Sequence, residues 1–263
     1  MAKQKPKTAR AVHANKGVEM AYKRALDNLV AEMSNSFEYW LSAAYKANPP
    51  RLEVAMDALP SLELSRKIRE LSKRWIKKFD DMALAISTKF TNSGRKATDS
   101  SFQQSLKDAG WAVEFQVTPV MRDAMNATIA ENVALIKSIP RQYSTEVEGI
   151  IMRGYTAGRD LATISDELQS RYGITKRRAA LIARDQNNRL TATVTQARRI
   201  ELGLFEAIWV HSGGGKTPRP SHVKAGKDKL KFDTREGALI DGEHILPGQK
   251  INCRCSSKTV LPF

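Results

Sequence analysis

Cysteine is nearly missing from this chain: two occur in 263 residues, Cys253 and Cys255. One intervening residue would make a strained ring if they bonded to each other, so no disulfide framework is expected and the thiols start out reduced. Long apolar runs are missing as well. None is long enough to span a bilayer, and the basic opening Met-Ala-Lys-Gln-Lys-Pro-Lys-Thr-Ala-Arg has no apolar segment behind it, so neither a membrane anchor nor a secretory signal is expected. Acidic residues are too few to balance the basic ones. Lys and Arg number 43 against 28 Asp and Glu, which gives a formal net charge of +15 and an isoelectric point near 9.9.

What remains is a soluble, globular composition, 41% hydrophobic and 27% charged, with length enough for one large domain or two modest ones. A positive surplus of this size attracts polyanions by neutralising phosphates and releasing counterions, which makes nucleic acid the default partner. The bland alternative is charge spread evenly over solvated helix faces for solubility.

Residues 1–13 combine Lys3, Lys5, Lys7 and Arg10 with Pro6 and almost no large apolar groups, the composition of a mobile basic arm. Tyr22, Leu26, Leu29, Met33, Phe37, Trp40 and Ala44 then recur at spacings of three and four, a helical stripe that Pro49 and Pro50 end. A second stripe follows in Leu64, Ile68, Leu71, Trp75, Phe79, Met82, Ile86 and Phe90, with lysines and arginines between. Asn92-Ser93-Gly94 is expected to break it, and a short helix covers 101–109. Thr118-Pro119 reads as an N-cap followed by proline at the first helical position, opening a helix that runs to Pro140. Further helices are expected around 146–159 and over 164–171, the last closed by Gly173. Two basic amphipathic helices could grip DNA, but packing on each other is the commoner use, with some DNA or partner contact added.

After Thr175 a basic helix runs to Gly203, residues 205–211 read as a strand, and glycine, proline and polar residues dominate from Ser212 to Ile251. Such a segment needs something other than a large apolar core to hold it. The fold class expected is α+β, mainly α-helical: a basic arm (1–13), an elongated helical region (14–173) and a small α+β C-terminal module (174–263).

Three of the four histidines, His211, His222 and His244, and both cysteines fall within this loop-rich segment. Cys253 and Cys255 as thiolates with two of the histidines, His211 and His222 first, would suit tetrahedral zinc and would staple a module that buries little. Cys-x-Cys is tighter than the usual Cys-x-x-Cys and no second close pair exists, so unmetallated, partly buried thiols outweigh zinc and no cofactor is certain. Gly213-Gly214-Gly215-Lys216-Thr217 resembles the end of a phosphate-binding loop, yet Val210 stands where the motif needs glycine, and Pro218 and Pro220 follow where a helix should open. Asp233, Glu236, Asp241 and Glu243 near His244 have no spacing that selects them for acid–base work, and no residue is assigned as catalytic. A metal-dependent DNA-processing nuclease built on His211, His222 and His244 is the enzymatic alternative.

Arg178-Ala179-Ala180-Leu181-Ile182-Ala183-Arg184, a helix containing Ala197-Arg198, then a glycine, Trp209, His222 and the closing Ile251-Asn252-Cys253-Arg254-Cys255 together resemble the Mu F-like family of tailed-phage minor head, or head morphogenesis, proteins. Where members often carry Thr-Glu after the Ala-Arg, this chain has Asp185-Gln186. The resemblance implies a virion protein of few copies, inside the head or at the portal vertex and in the host cytoplasm during assembly, acting in head morphogenesis, DNA packaging or ejection. Its implied partners are the portal protein, major capsid or head-completion proteins and double-stranded DNA, with no membrane. Within the module, Trp209 is expected to anchor the core and Asn252 and Arg254 to organise the terminal turn. Arg178, Arg184, Arg189, Arg198, Arg199, Lys216 and Arg219 are the candidates for phosphate or acidic-partner contact.

Overall fold

Four long helices and two small antiparallel sheets make up the computed structural model, which describes residues 7–47, 59–157, 161–215 and 217–263. The elements in order are β1 (Thr8–Ala9), α1 (Lys16–Ala47), α2 (Leu59–Asp108), α3 (Pro119–Thr156), α4 (Leu161–Glu201), β2 (Glu206–Val210), α5 (Pro220–Lys227), β3 (Lys231–Asp233), β4 (Ala238–Ile240), β5 (Glu243–Ile245) and β6 (Ser256–Val260). The mainly helical α+β class is the one the periodicities predict. No helix among the described residues is long and apolar enough to cross a membrane. Lys3, Lys5, Pro6, Pro49, Pro50 and Lys216 lie outside the described residues.

The chain divides into two compact units. One contains residues 22–87 and 130–182; the other contains residues 1–21, 88–129 and 183–263. The first is all helix. Its buried side chains are those of the predicted stripes, Leu26, Leu29, Met33 and Phe37 on α1 and Ile68, Leu71, Trp75 and Phe79 on α2, together with Ile136, Tyr143 and Val147 on α3 and Ile164 and Leu168 on α4. Two hydrogen bonds cross this core: Tyr22 donates to Asn132 Oδ1 at 2.8 Å and Tyr143 to Ser34 Oγ at 3.1 Å, while Trp75 Nε1, Ser87 Oγ and Ser144 Oγ are buried with no hydrogen-bond partner. Burial raises the pKa of both phenols, that of Tyr143 to about 12. Trp40 departs from its stripe and is partly exposed, with the Lys67 ammonium 4.2 Å above its ring.

The other unit holds the sheet, in strand order β1-β6-β2-β3, and the β4-β5 hairpin. Thr8 and Ala9, within the segment read as a mobile arm, pair with Val260 and Thr259 of β6, and Ala9 and Val12 are buried with Phe102, Leu106, Leu204 and Leu261. The short segment is held because its few apolar groups enter a core supplied by other parts of the chain. A second core gathers Ala207, Trp209, Ala225, Phe232, Ile240, Ile245 and both cysteines.

Three expected helix ends are absent. α2 runs through Asn92-Ser93-Gly94, because a Cβ on Gly94 would lie 2.3 Å from Leu190 Cδ2: the glycine serves the close approach of α2 and α4 there and does not break the helix. α3 runs through Pro140, where the loss of one backbone hydrogen bond is offset by the buried Ile136, Ile139, Tyr143 and Val147 on either side. α4 absorbs Gly173 in the same way, between buried Leu168 and Ala179. The expected cap at Thr118 is present, accepting the Met121 N–H at 3.1 Å.

Candidate metal centre

β2, α5 and the loop before β6 bring the cysteines and one histidine together. Pro220 fixes the first turn of α5, and Ser221 Oγ donates to Asp241 Oδ2 at 2.7 Å. Gly226 lets the helix lie against the end of β2, since a Cβ there would sit 2.4 Å from His211 Cβ. His222 is thereby buried edge-on to Trp209, with ring centroids 5.1 Å apart. Its Nδ1 lies 3.4 Å from Cys253 Sγ and 3.8 Å from Cys255 Sγ.

The loop carrying the cysteines is tied to α4. Asn252 adopts a left-handed backbone conformation, φ 61°, its N–H donates to Asp185 Oδ1 at 2.8 Å, and its own Oδ1 accepts from Arg184 at 2.7 Å. Asn188 Nδ2 donates to the Cys253 carbonyl at 3.0 Å, and Arg219 donates to the Ile251 carbonyl at 3.0 Å. Cys253 Sγ accepts the Gly248 N–H at 3.4 Å. The hydrogen bond from the Cys255 thiol, helped by Gly248 and the nearby His222, lowers the Cys253 pKa against the opposing effect of burial. The same bond, together with burial, pushes Cys255 up. The indole N–H of Trp209, which has no ordinary hydrogen-bond partner, favours a negative charge on Cys255.

His222, Cys253 and Cys255 are all buried, and their ligand atoms lie within 4.8 Å of one another. Zinc in a tetrahedral site, with bonds of about 2.3 Å to sulfur and about 2.0 Å to nitrogen, would hold such atoms roughly 3.5 Å apart. Donor type and spacing both fit a metal ion. His211, expected as a further ligand, does not join the group: its Nδ1 accepts the Gly213 N–H at 3.1 Å. His244 Nδ1 faces the Gly237 carbonyl at 3.3 Å.

The candidate contact arginines do not form one surface. Arg198 is 1% exposed, pairs with Asp99 and Glu201, donates to the Gln116 carbonyl and lies over Phe115. Arg199 is 3% exposed and donates to Thr259 Oγ1, Ser257 Oγ and the Ser257 carbonyl. Both are interior groups of this unit, and a DNA backbone cannot reach them; the sequence could not show this because Asp99, Ser257 and Thr259, which hold them there, lie about 60 to 100 residues away. Arg178, half-buried, donates to Ser138 Oγ at 2.9 Å, and burial lowers its pKa. Arg189 is half-buried and partnered, whereas Arg219 and Arg254 are exposed. Trp209 is 1% exposed, within the second core. Asp185 and Asn188 are the residues that sequence reasoning passed over. Their one-turn spacing beside Arg184 was the available signal.

Residues 145–258 match the family described as phage Mu protein F like protein. They form a phage Mu protein F-like domain. The Mu F-like domain begins inside α3, earlier than Arg178, and ends within β6, so it takes in all of α4, the group of His222, Cys253 and Cys255 and the residues that fasten its loop. An uncharacterized protein of Haemophilus influenzae is 27% identical over 256 residues, which is 95% of this chain; the chain spans about half, 55%, of that relative's length. No solved structure matches.

Proposed function

We propose that this chain is a minor head protein of a tailed phage, acting at the portal vertex or inside the head in morphogenesis, DNA packaging or ejection. The observation that carries the reading is the Mu F-like domain over residues 145–258. Its partners are the portal protein, major capsid or head-completion proteins, and double-stranded DNA held through non-specific phosphate contacts. The net charge of +15 supports the last of these. Co-expression with the portal protein tests the assignment. Co-purification is expected, and failure to co-purify, together with absence of the chain from purified virions, would remove it. DNA affinity is expected to fall steeply between low and high salt; a flat response would remove the DNA contact alone.

The role is structural and not enzymatic. Three of the four loop acids considered for an acid–base site are engaged with neighbours: Asp233 with Arg235, Glu243 with Lys250, and Asp241 with Ser221. His222, Cys253 and Cys255 would hold zinc, whose contribution is to cross-link α5 to the loop before β6 in a module with a small apolar core. Plasmid nicking that requires a divalent metal and disappears in His222→Ala would replace this reading with the nuclease.

A further inference from the structure

A cavity of about 340 Å³ lies within the sheet-containing unit, with Cys255 among its lining residues. Its walls include Lys16, Arg184, Arg199 and Arg254, four cations, with Thr195 and Ser256 between them. Glu19 is the one acidic residue in the lining, and it is already paired with Lys16.

Two features of this lining ask for an anion. First, Arg199 is buried and makes its hydrogen bonds to hydroxyls and a carbonyl, with no carboxylate paired to it among the described residues. Burial without a counter-charge lowers its pKa to about 9. A buried cation of this kind is costly unless a negative group compensates it. Second, the hydroxyls of Thr195 and Ser256 and the Nε of Arg184 are buried with no hydrogen-bond partner. All three can donate, and an unmet buried donor costs about 1–3 kcal/mol. Oxygen acceptors carrying negative charge would satisfy the cation and the donors together.

We propose that this cavity binds a small oxyanion of the phosphate class, free or as the monoester end of a small molecule. Phosphate and carboxylate both pair with a guanidinium at two points, but the additional oxygens of phosphate can meet a second guanidinium and the buried hydroxyls as well, which a single carboxylate cannot. The volume is at the low end for a ligand pocket and has no room for a duplex, so the site is distinct from any DNA surface. It does not depend on the head-protein role.

The test is calorimetric titration and thermal melting of the full chain in a buffer free of sulfate and phosphate. Inorganic phosphate, adenosine monophosphate and acetate are compared at an ionic strength matched with sodium chloride. Saturable phosphate binding is expected, with the melting temperature raised by roughly 5–10 °C at a hundred times Kd. Binding of the monophosphate as well identifies the phosphate head as the recognised part, and binding of the monophosphate alone shows that the organic part is needed too. Acetate binding equally well would overturn the phosphate class. No saturable binding of any of the three, or a shift reproduced by chloride, would overturn the site. Arg199→Met also removes the hydrogen bonds to Ser257 and Thr259 of β6, so Arg254→Ala, at an exposed position, and Thr195→Val are the working variants. Each is expected to weaken phosphate binding about tenfold, one hydrogen bond to a charged group. Unchanged affinity in both overturns the assignment.

Discussion

The two units of this protein bury different kinds of side chain. In the all-helical unit the largest fully buried groups are Phe37, Phe79, Tyr143, Met33, Ile136 and Ile139, whereas in the sheet-containing unit Arg198 stands beside Trp209 and Phe102 in that class, and Arg199, His222, Thr234, Ser257 and Thr259 are buried too. The first unit is stabilised mainly by removing apolar area from water. The second depends more on the partners that Arg198, Arg199 and Thr234 find, because burial alone would penalise such groups. The same kind of helical chemistry, an amphipathic α4, feeds both units. Sensitivity to mutation should therefore differ in kind between them.

The strongest way to break the contrast is Phe79→Ala. It removes a fully buried ring from the all-helical unit and is expected to cost about 3–5 kcal/mol, with faster hydrogen exchange in α1 and α3 than in β2 and β6. Arg198→Ala is the counterpart in the sheet-containing unit. About 3 kcal/mol should be lost and exchange should rise first in β2 and β6, because Asp99 stays buried with only Arg95 beside it. Equal effects of the two changes on both sets of amides would erase the distinction.

Metal removal comes next. A chelator is expected to take one zinc per chain, measurable by mass spectrometry, and to lower stability by about 2.7 kcal/mol relative to zinc at a hundred times its Kd. Cys253→Ser should bind none and be insensitive to the chelator. Chelation that leaves melting unchanged would mean that the thiols and imidazole hold the loop by hydrogen bonds alone.

The smallest effect sharpens the description of the helical core. Tyr143 has its folded-state pKa raised by burial from 10.0 to about 12, so the folded state keeps the proton that the unfolded state loses. Stability contributed by the neutral phenol is complete below pH 10 and declines as pH rises from 10 through 12. Tyr143→Phe should cost about 1 kcal/mol at neutral pH through the lost bond to Ser34, and should flatten that alkaline decline in denaturation midpoints.

Long apolar stripes made the helical unit legible. Leu26, Met33 and Phe37, and Ile68, Trp75 and Phe79, fall where their spacing puts them. Further along α2, Phe90 is buried as its spacing predicts, but the positions read as Met82 and Ile86 are taken by Ala83 and Ser87, since small and hydroxylated side chains can be buried without an apolar signature. Helix ends were less legible because Gly94 and Pro140 act locally as breakers while tertiary packing carries the helix through. At the candidate site, clustering of His and Cys in a weakly apolar segment picked out His222, Cys253 and Cys255, but could not tell them from His211. The buried arginines were misread for a simple reason. Periodicity marks a charged residue as surface, and only the distant Asp99, Ser257 and Thr259 make Arg198 and Arg199 interior.

The pairing of Thr8 and Ala9 with β6 has a consequence for biogenesis. The partner strand lies about 250 residues downstream, so at roughly 5–20 residues per second the ribosome needs on the order of 10–50 s between making the two strands. During that interval β1 has no ladder to join, whereas the stripes of α1 and α2 can already meet. Folding of the sheet thus waits for β6 to be made and has high contact order. Pulsed labelling of stalled nascent chains should find α1 and α2 protected early and Ala9 protected only after β6 has left the exit tunnel.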